Sequence, residues 1–308
     1  MSLQPPEPPN FEPPNFKPPN PYAMTILITG ANGQIGRELQ ALQAEFPGLQ
    51  YIALDRSTLD MTNASAIQRV IAETTFDACI NCAAYTTVDK AEQETELAFA
   101  INAHAPGILA EACWEKGVQL IHYSSDYVYH NGINRPLLET DSSMPRSIYA
   151  HSKLEGDKRV LAAHPGALVF RTSWVYSSFG HNFVKTMLRL GQEKEVLRVV
   201  NDQIGTPTYA RDIARMSLQI LLSEQSGEQA GIFNYSNEGV CSWYDFARAI
   251  FDLSGIPCRV EPIPSTAYPT PAARPPYSVL DKSKFKAAFG LEIPYWRDSL
   301  VECLGLLR

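Results

Sequence analysis

The chain has 308 residues, 45% of them hydrophobic and 19% charged, the balance of a soluble globular enzyme with room for a sizeable buried core. Its formal net charge of -7 gives no basic footprint for nucleic acid or anionic lipid, so an anionic substrate must find a local cationic pocket. There is no run near the ~18 consecutive apolar residues of a membrane span, no charged-then-apolar secretory start, and no disulfide framework in six irregularly spaced cysteines. These features fit a reducing cytoplasm.

Residues 1–23 read MSLQPPEPPNFEPPNFKPPNPYA, with PPNF twice and PPN a third time. Proline removes backbone donors and favours polyproline II, so this segment predicts a disordered tail or leader, with the working domain beginning at Met24. A ligand for a proline-recognising module is the alternative. TILIT (25–29) predicts a strand and 35–46 a helix. YIALD (51–55) is a second strand, followed by a helix near 64–74. CINCAA (79–84) and VQLIHYSS (118–125) are further strands, separated by a long helical segment within 91–116. Cys79 and Cys82 form a CxxC, but strand positions i and i+3 point to opposite faces, which predicts buried, inert thiols rather than a bridge or a metal site. A helix across 149–163 and the strand ALVFRTSW (167–174) complete the alternation.

That alternation predicts an α/β fold: a doubly wound, Rossmann-like parallel sheet with right-handed crossovers, forming a dinucleotide-binding domain over 24–175. Further on the order loosens, with helices expected at 182–193, 209–223, 242–253 and 296–307 and short strands at 196–201, 231–236 and 258–263. Residues 176–308 therefore predict a smaller mixed α/β substrate-binding region. It should partly complete the sheet and partly form a lid over the sheet's C-terminal edge, where ligands bind in open α/β folds.

Gly30-Ala31-Asn32-Gly33-Gln34-Ile35-Gly36 follows the first strand and opens the first helix, as GxxGxxG rather than GxGxxG. Glycines let the backbone turn tightly and approach a pyrophosphate, and the helix start supplies amide donors and a positive dipole end. Asp55 ends the second strand, where a carboxylate favours a ribose 2′-hydroxyl and hence NAD. Arg56 follows at once and suits a 2′-phosphate, so NADPH and NADH both stay open. Asp60 and Met61 lie near enough in sequence to border the adenine site.

Tyr149-Ala150-His151-Ser152-Lys153 places a tyrosine and a lysine at i and i+4, on one helix face. A phenol with its ordinary pKa of about 10 is a poor acid–base group at neutral pH, and a neighbouring ammonium lowers it. Ser124-Ser125-Asp126 ends an earlier strand, where a hydroxyl can hydrogen-bond a substrate oxygen. YxxxK or a polar strand end alone is commonplace. A glycine loop after strand one, then a strand-end hydroxyl, then YxxxK on the next helix is not.

This order of motifs resembles the extended short-chain dehydrogenase/reductases, in their branch acting on dTDP-linked keto-sugars. ITGANGQIGRELQ (28–40), NCAAYTTVDKAE (81–92), SSDYVY (124–129), RTSWVYSSFGHNFVKTMLRL (171–190), NDQIGTPTYARDIA (201–214) and YPTPAARPPYSVLD (268–281) carry the resemblance nearly from Met24 to the end. It implies NAD(P)H-dependent reduction of dTDP-4-dehydro-L-rhamnose to dTDP-L-rhamnose. Tyr149 would protonate the nascent sugar oxygen, Lys153 would depress the tyrosine and hold the nicotinamide ribose, and Ser125 would stand where the family has threonine. Ala83, Ala84 and Tyr85 would lie beside the cofactor. Val88, Asp126 and Trp174 would line the sugar pocket, and Arg274 would bind the diphosphate. Some such proteins are magnesium-linked dimers using glutamates near both termini. Glu38 matches the first, but DSLVECLGLLR has leucine where the second would align, and no histidine cluster has ligand spacing, so no metal is expected. A monomer or weak homodimer follows. The alternatives are another epimerase or dehydratase of the extended family, and a non-catalytic regulatory subunit of the methionine adenosyltransferase type.

Overall fold

The computed structural model describes residues 24–223 and 227–307, and the proline-rich 1–23 lies outside the described residues. In the first half come β1 (Met24–Thr29), α1 (Gln34–Ala41), β2 (Leu49–Leu54), α2 (Ala64–Glu73), β3 (Ala78–Asn81), α3 (Val88–Ala91), α4 (Thr95–Phe99), α5 (Ala105–Lys116), β4 (Gln119–Ser125), α6 (Ile148–Ala163) and β5 (Leu168–Thr172). There follow β6 (Val175–Tyr176), α7 (Phe183–Glu193), β7 (Val196–Val200), β8 (Ile204–Gly205), β9 (Thr208–Tyr209), α8 (Ala210–Leu222), β10 (Gly231–Asn234), β11 (Cys241–Ser242), α9 (Trp243–Ser254), β12 (Arg259–Ile263), α10 (Ser283–Phe289) and α11 (Trp296–Gly305).

Six strands form one sheet in the order β10-β5-β4-β3-β1-β2, and every neighbouring pair is parallel. All C-terminal strand ends therefore lie on one edge, and the order reverses between β1 and β3, the place where such sheets bind ligands. Alternate residues of β1 feed opposite faces. Ile26 and Ile28 pack with Leu39 of α1, Ile213 of α8 and Phe285 of α10, whereas Leu27 packs with Ile67 of α2, Leu109 of α5 and Val160 of α6. Cys79 belongs to the second cluster and Cys82 packs against the first, on opposite faces as the strand pattern predicts. All six thiols are free.

The second half divides its labour. β10 extends the parallel sheet beside β5, and α8 and α10 cover one face of that sheet. A separate core, with Val184, Phe246, Ile250 and Leu300, joins α7, α9 and α11. The two-residue strands β6, β8, β9 and β11 were not anticipated, and two longer elements also differ from the sequence pattern. α1 stops at Ala41, and the chain tightens into turns in which Glu45 and Phe46 donate to Leu42 and Gln43; Pro47 cannot continue a helix. α10 was not anticipated, because SKFKAAF is too short for its periodicity to register; it ends at Gly290, whose φ of 62° suits glycine.

Candidate active site at the C-terminal edge of the sheet

The loop after β1 uses its glycines differently. Gly30 has φ +64°, and a Cβ there would lie 2.5 Å from the Ala83 nitrogen. A Cβ on Gly36 would lie 2.6 Å from the Gly30 oxygen and 2.8 Å from the Ala31 Cα, so this glycine serves helix–strand packing. A Cβ on Gly33 would meet only the Gly30 oxygen, at 3.1 Å. Gly33 also N-caps α1 with no side-chain cap and no acidic residue in the first turn. An uncapped helix start at a glycine, with no side chain over its first amides, has the chemistry of an anion site. Gln34 ties this loop to the second half, accepting from Asn182 Nδ2 at 3.0 Å, and Ile35 packs against the sheet core.

At the end of β2 the structure adds something the strand-end position did not reveal. Asp55 Oδ2 accepts from Asn32 at 2.7 Å, and Oδ1 accepts from the Ser57 amide at 2.8 Å and the Ser57 hydroxyl at 2.6 Å. These bonds, led by the Ser57 hydroxyl, hold the carboxyl below its usual range. Both oxygens are thus occupied by the chain itself, while Arg56 stands exposed at the turn. Asp60 is likewise folded onto Thr62, and Met61 is buried.

α6 begins at a Ser147 cap whose hydroxyl accepts from the Ala150 amide at 3.2 Å, fixing where Tyr149 and Lys153 emerge. Lys153 is buried, and its Nζ donates to the Tyr123 carbonyl at 2.5 Å. Burial pushes its ammonium down to about 8, against the opposing pull of Asp157 one turn further on. Burial pushes the Tyr149 phenol up to about 12, opposed by a hydrogen bond with Ser125. This corrects the sequence expectation: in the protein alone the phenol is raised, not lowered, because burial dominates and the Lys153 ammonium spends its hydrogen bond on β4. The neighbouring Tyr127 ring packs edge-on against Tyr149 at 5.6 Å.

Ser125 and Asp126 join Tyr149 at this edge. Ser125 Oγ donates to Asp126 Oδ1 at 2.9 Å and accepts from the Tyr127 amide at 3.2 Å. Asp126 Oδ2 is buried with no hydrogen-bond partner among the described residues. Burial raises the Asp126 carboxyl to about 6, opposed by the Ser278 and Ser125 hydroxyls.

Sequence reasoning missed the groups that hold these side chains. Asp157 pairs with Arg171 of β5 at 3.0 Å, both fully buried, and Arg171 donates to the Tyr129 hydroxyl at 2.7 Å. This pair bolts α6 to the sheet, as a buried charge requires. Thr29 and Asn81, at the ends of β1 and β3, sit in register with His122 in the middle of β4. Thr29 donates to Asn81 Oδ1 at 2.6 Å, and Asn81 Nδ2 lies 3.0 Å from His122 Nδ1. Asn102 holds the loop after β3, accepting from the Tyr85 amide at 2.8 Å and donating to Ser152 at 3.0 Å. Ala83 and Ala84 lie on that loop, with Ala84 exposed.

On the other side of the edge, Trp174 has φ 47°, a strained conformation for a bulky residue, and stacks on Trp243 at 3.6 Å. Val88 opens α3 and is partly buried. Arg274 grips Asp89 bidentately, at 3.1 and 2.8 Å, a partner the sequence did not reveal. Glu38 is fully buried and accepts from Ser177 at 2.6 Å, with Arg211 at 3.5 Å, so it does not stand on the surface as a ligand for an intersubunit metal.

An all-parallel doubly wound sheet, a glycine cradle after its first strand and a YxxxK helix beside a strand-end hydroxyl define a Rossmann-like protein of the short-chain dehydrogenase/reductase type. The chain belongs to the family described as RmlD substrate binding domain, which matches residues 24–308. A dTDP-4-dehydrorhamnose reductase of Aggregatibacter actinomycetemcomitans is 41% identical over 284 residues, 89% of this chain and 96% of the relative. Among solved structures, a dTDP-4-dehydrorhamnose reductase of Clostridium acetobutylicum is 42% identical, with a TM-score of 0.87 over 92% of this chain and 99% of that one. A Bacillus anthracis dTDP-4-dehydrorhamnose reductase, in complex with NADP, is 37% identical, with a TM-score of 0.86 over the same shares.

Proposed function

We propose that this chain reduces dTDP-4-dehydro-L-rhamnose to dTDP-L-rhamnose with NADPH or NADH, in the supply of nucleotide sugar for cell-surface polysaccharide. The observation that carries this reading is a complete set of reductase groups, Tyr149, Lys153 and Ser125 beside an open glycine cradle, in a chain 41% identical to a reductase over 96% of that relative's length. The cofactor fits the residues present, because α1 starts at Gly33 with no side-chain cap and no acidic residue in its first turn. Gly30, Gly33 and Gly36 would hold the pyrophosphate, with Asp55, Arg56, Asp60 and Met61 at the adenosine end and Ala83, Ala84, Tyr85 and Lys153 at the nicotinamide ribose. When bound, the cofactor supplies hydride to the keto carbon.

Tyr149 gives its proton to the oxygen on which negative charge develops. Burial keeps the phenol protonated throughout the neutral range, so the proton is in place, and the negative charge developing on the substrate oxygen draws it across. Ser125 turns its one O–H from Asp126 to the same oxygen, and the protonated Lys153 draws the anionic cofactor and stabilises the phenolate left behind. Asp126, whose carboxyl the Ser125 and Ser278 hydroxyls already approach, accepts in addition from a sugar hydroxyl. Trp174 and Val88 wall the sugar, and Arg274 takes the diphosphate. In this arrangement residues 24–175 carry the cofactor and 176–308 most of the substrate contacts. No described helix is long and apolar enough to cross a membrane, which agrees with a cytoplasmic enzyme. The inward-turned Glu38 agrees with a monomer or weak homodimer. Mixing the protein, NADPH and dTDP-4-dehydro-L-rhamnose should consume NADPH absorbance in proportion to keto-sugar added; no loss would overturn the proposal.

Two further results are expected. Arg56→Ala should weaken NADPH binding about ten- to a hundredfold while leaving NADH nearly unchanged, the worth of a charge-assisted phosphate contact. Equal effects on both cofactors, measured by fluorescence titration, would return Arg56 to a solvated charge. Lys153 loses its proton as pH rises through about 8. With it goes the attraction for the anionic cofactor, so kcat/KM for NADPH should fall about tenfold per unit above that pH. A profile flat to about pH 10 would contradict the lysine's role.

A further inference from the structure

Arg274 has five N–H donors, two on each terminal nitrogen and one on Nε. Nη1 spends both of its donors, on Asp89 Oδ1 at 3.1 Å and the Ala272 carbonyl at 3.0 Å. Nη2 spends one, on Asp89 Oδ2 at 2.8 Å. What remains is the Nε–H and the second Nη2–H, a parallel fork on the edge away from Asp89 with no partner among the described residues. That fork is the edge a phosphate takes bidentately. Asp89 Oδ1 also accepts from the Ala272 amide at 3.1 Å, so one carboxylate holds both the guanidinium and the backbone two residues before it. Pro271, Pro275 and Pro276 stiffen this stretch. The tie spans 185 positions, from the first turn of α3 beside Val88 to the segment that carries Ser278 to Asp126. Both charges act on the Tyr127 phenol, whose ring packs on Tyr149, so the pair stands near the reacting end.

We infer that Asp89 is a positioning residue for the diphosphate: it clamps one edge of Arg274 so that the opposite edge is presented ready-made to the ligand. This rests on the reading of Arg274 as the diphosphate ligand. A carboxylate that competed with the ligand would cover the Nε edge; here it covers the other. Ordering a long cation in advance removes an entropy cost from binding, worth about tenfold for one such side chain.

The test uses the full chain with Asp89→Asn, Arg274→Ala and the double variant, titrated calorimetrically with dTDP and, separately, thymidine. Asp89→Asn should weaken dTDP about tenfold, leave thymidine unchanged, and raise the keto-sugar KM by the same factor with little change in kcat. Asp89→Glu should restore part of the loss, and adding Asp89→Asn to Arg274→Ala should cost nothing more, since the two act as one unit. Tighter dTDP binding in Asp89→Asn would make Asp89 a competitor and overturn the inference. Unchanged dTDP affinity in Asp89→Asn, with a loss in Arg274→Ala, would overturn it while sparing the reading of Arg274. Unchanged affinity in Arg274→Ala would remove both.

Discussion

Tyr149→Phe should lose roughly 10²–10⁴-fold in turnover while binding NADPH as the wild type does, the usual span for removal of a general acid. The substitution keeps the ring and its edge-on contact with Tyr127 at 5.6 Å, so packing is preserved and only the proton goes. Burial holds that proton to about pH 12, so the wild-type acid is fully loaded at any working pH. Ser125→Ala should be milder, since Tyr149 still delivers the proton and one hydrogen bond to the oxygen is lost. Lys153→Met should reduce both turnover and cofactor affinity, because the same ammonium serves both. Near-normal turnover in Tyr149→Phe, read from single-turnover NADPH oxidation, would mean the acid lies elsewhere.

Gly33→Val should abolish dinucleotide binding with little loss of stability, whereas Gly36→Val should destabilise the fold itself. The difference lies in what each new side chain meets. At Gly33 a Cβ touches only the Gly30 oxygen at 3.1 Å, which can yield by a few tenths of an ångström, and the rest of the valine fills the anion cradle. At Gly36 it stands 2.6–2.9 Å from the backbone of Gly30 and Ala31, with nowhere to move. Overpacking of that kind costs about 1–3 kcal/mol or more. Melting temperature and NADPH titration on the two variants separate the effects. Wild-type affinity in Gly33→Val would remove the pyrophosphate from this loop.

The sheet was legible in the sequence because its central strands are buried on both faces and so appear as unbroken apolar runs between amphipathic helices, with glycine at the first turn. Tyr149, Lys153 and Ser125 were legible because a helix period and a strand end place them. What supports them was not. Asp157 lies one turn beyond Lys153, but only the packing of α6 on β5 shows that its partner is Arg171. Asn81 meets His122 through sheet register, and Asp89 meets Arg274 across 185 positions, a separation no local pattern encodes. The direction of the Tyr149 shift was also hidden, since spacing reveals the lysine but not the burial that dominates the phenol.

The most direct measurement of the central claim follows the hydrogen. The protein is incubated with dTDP-4-dehydro-L-rhamnose and NADPH deuterated at its transferable position, and the sugar is analysed by mass spectrometry and proton NMR. A dTDP-L-rhamnose bearing one deuterium at the former keto carbon is the result expected of a reductase in which the cofactor gives hydride and Tyr149 gives the proton. Tight NADPH binding with unlabelled, unreduced keto-sugar would contradict it and favour a non-catalytic, regulatory role for the same fold.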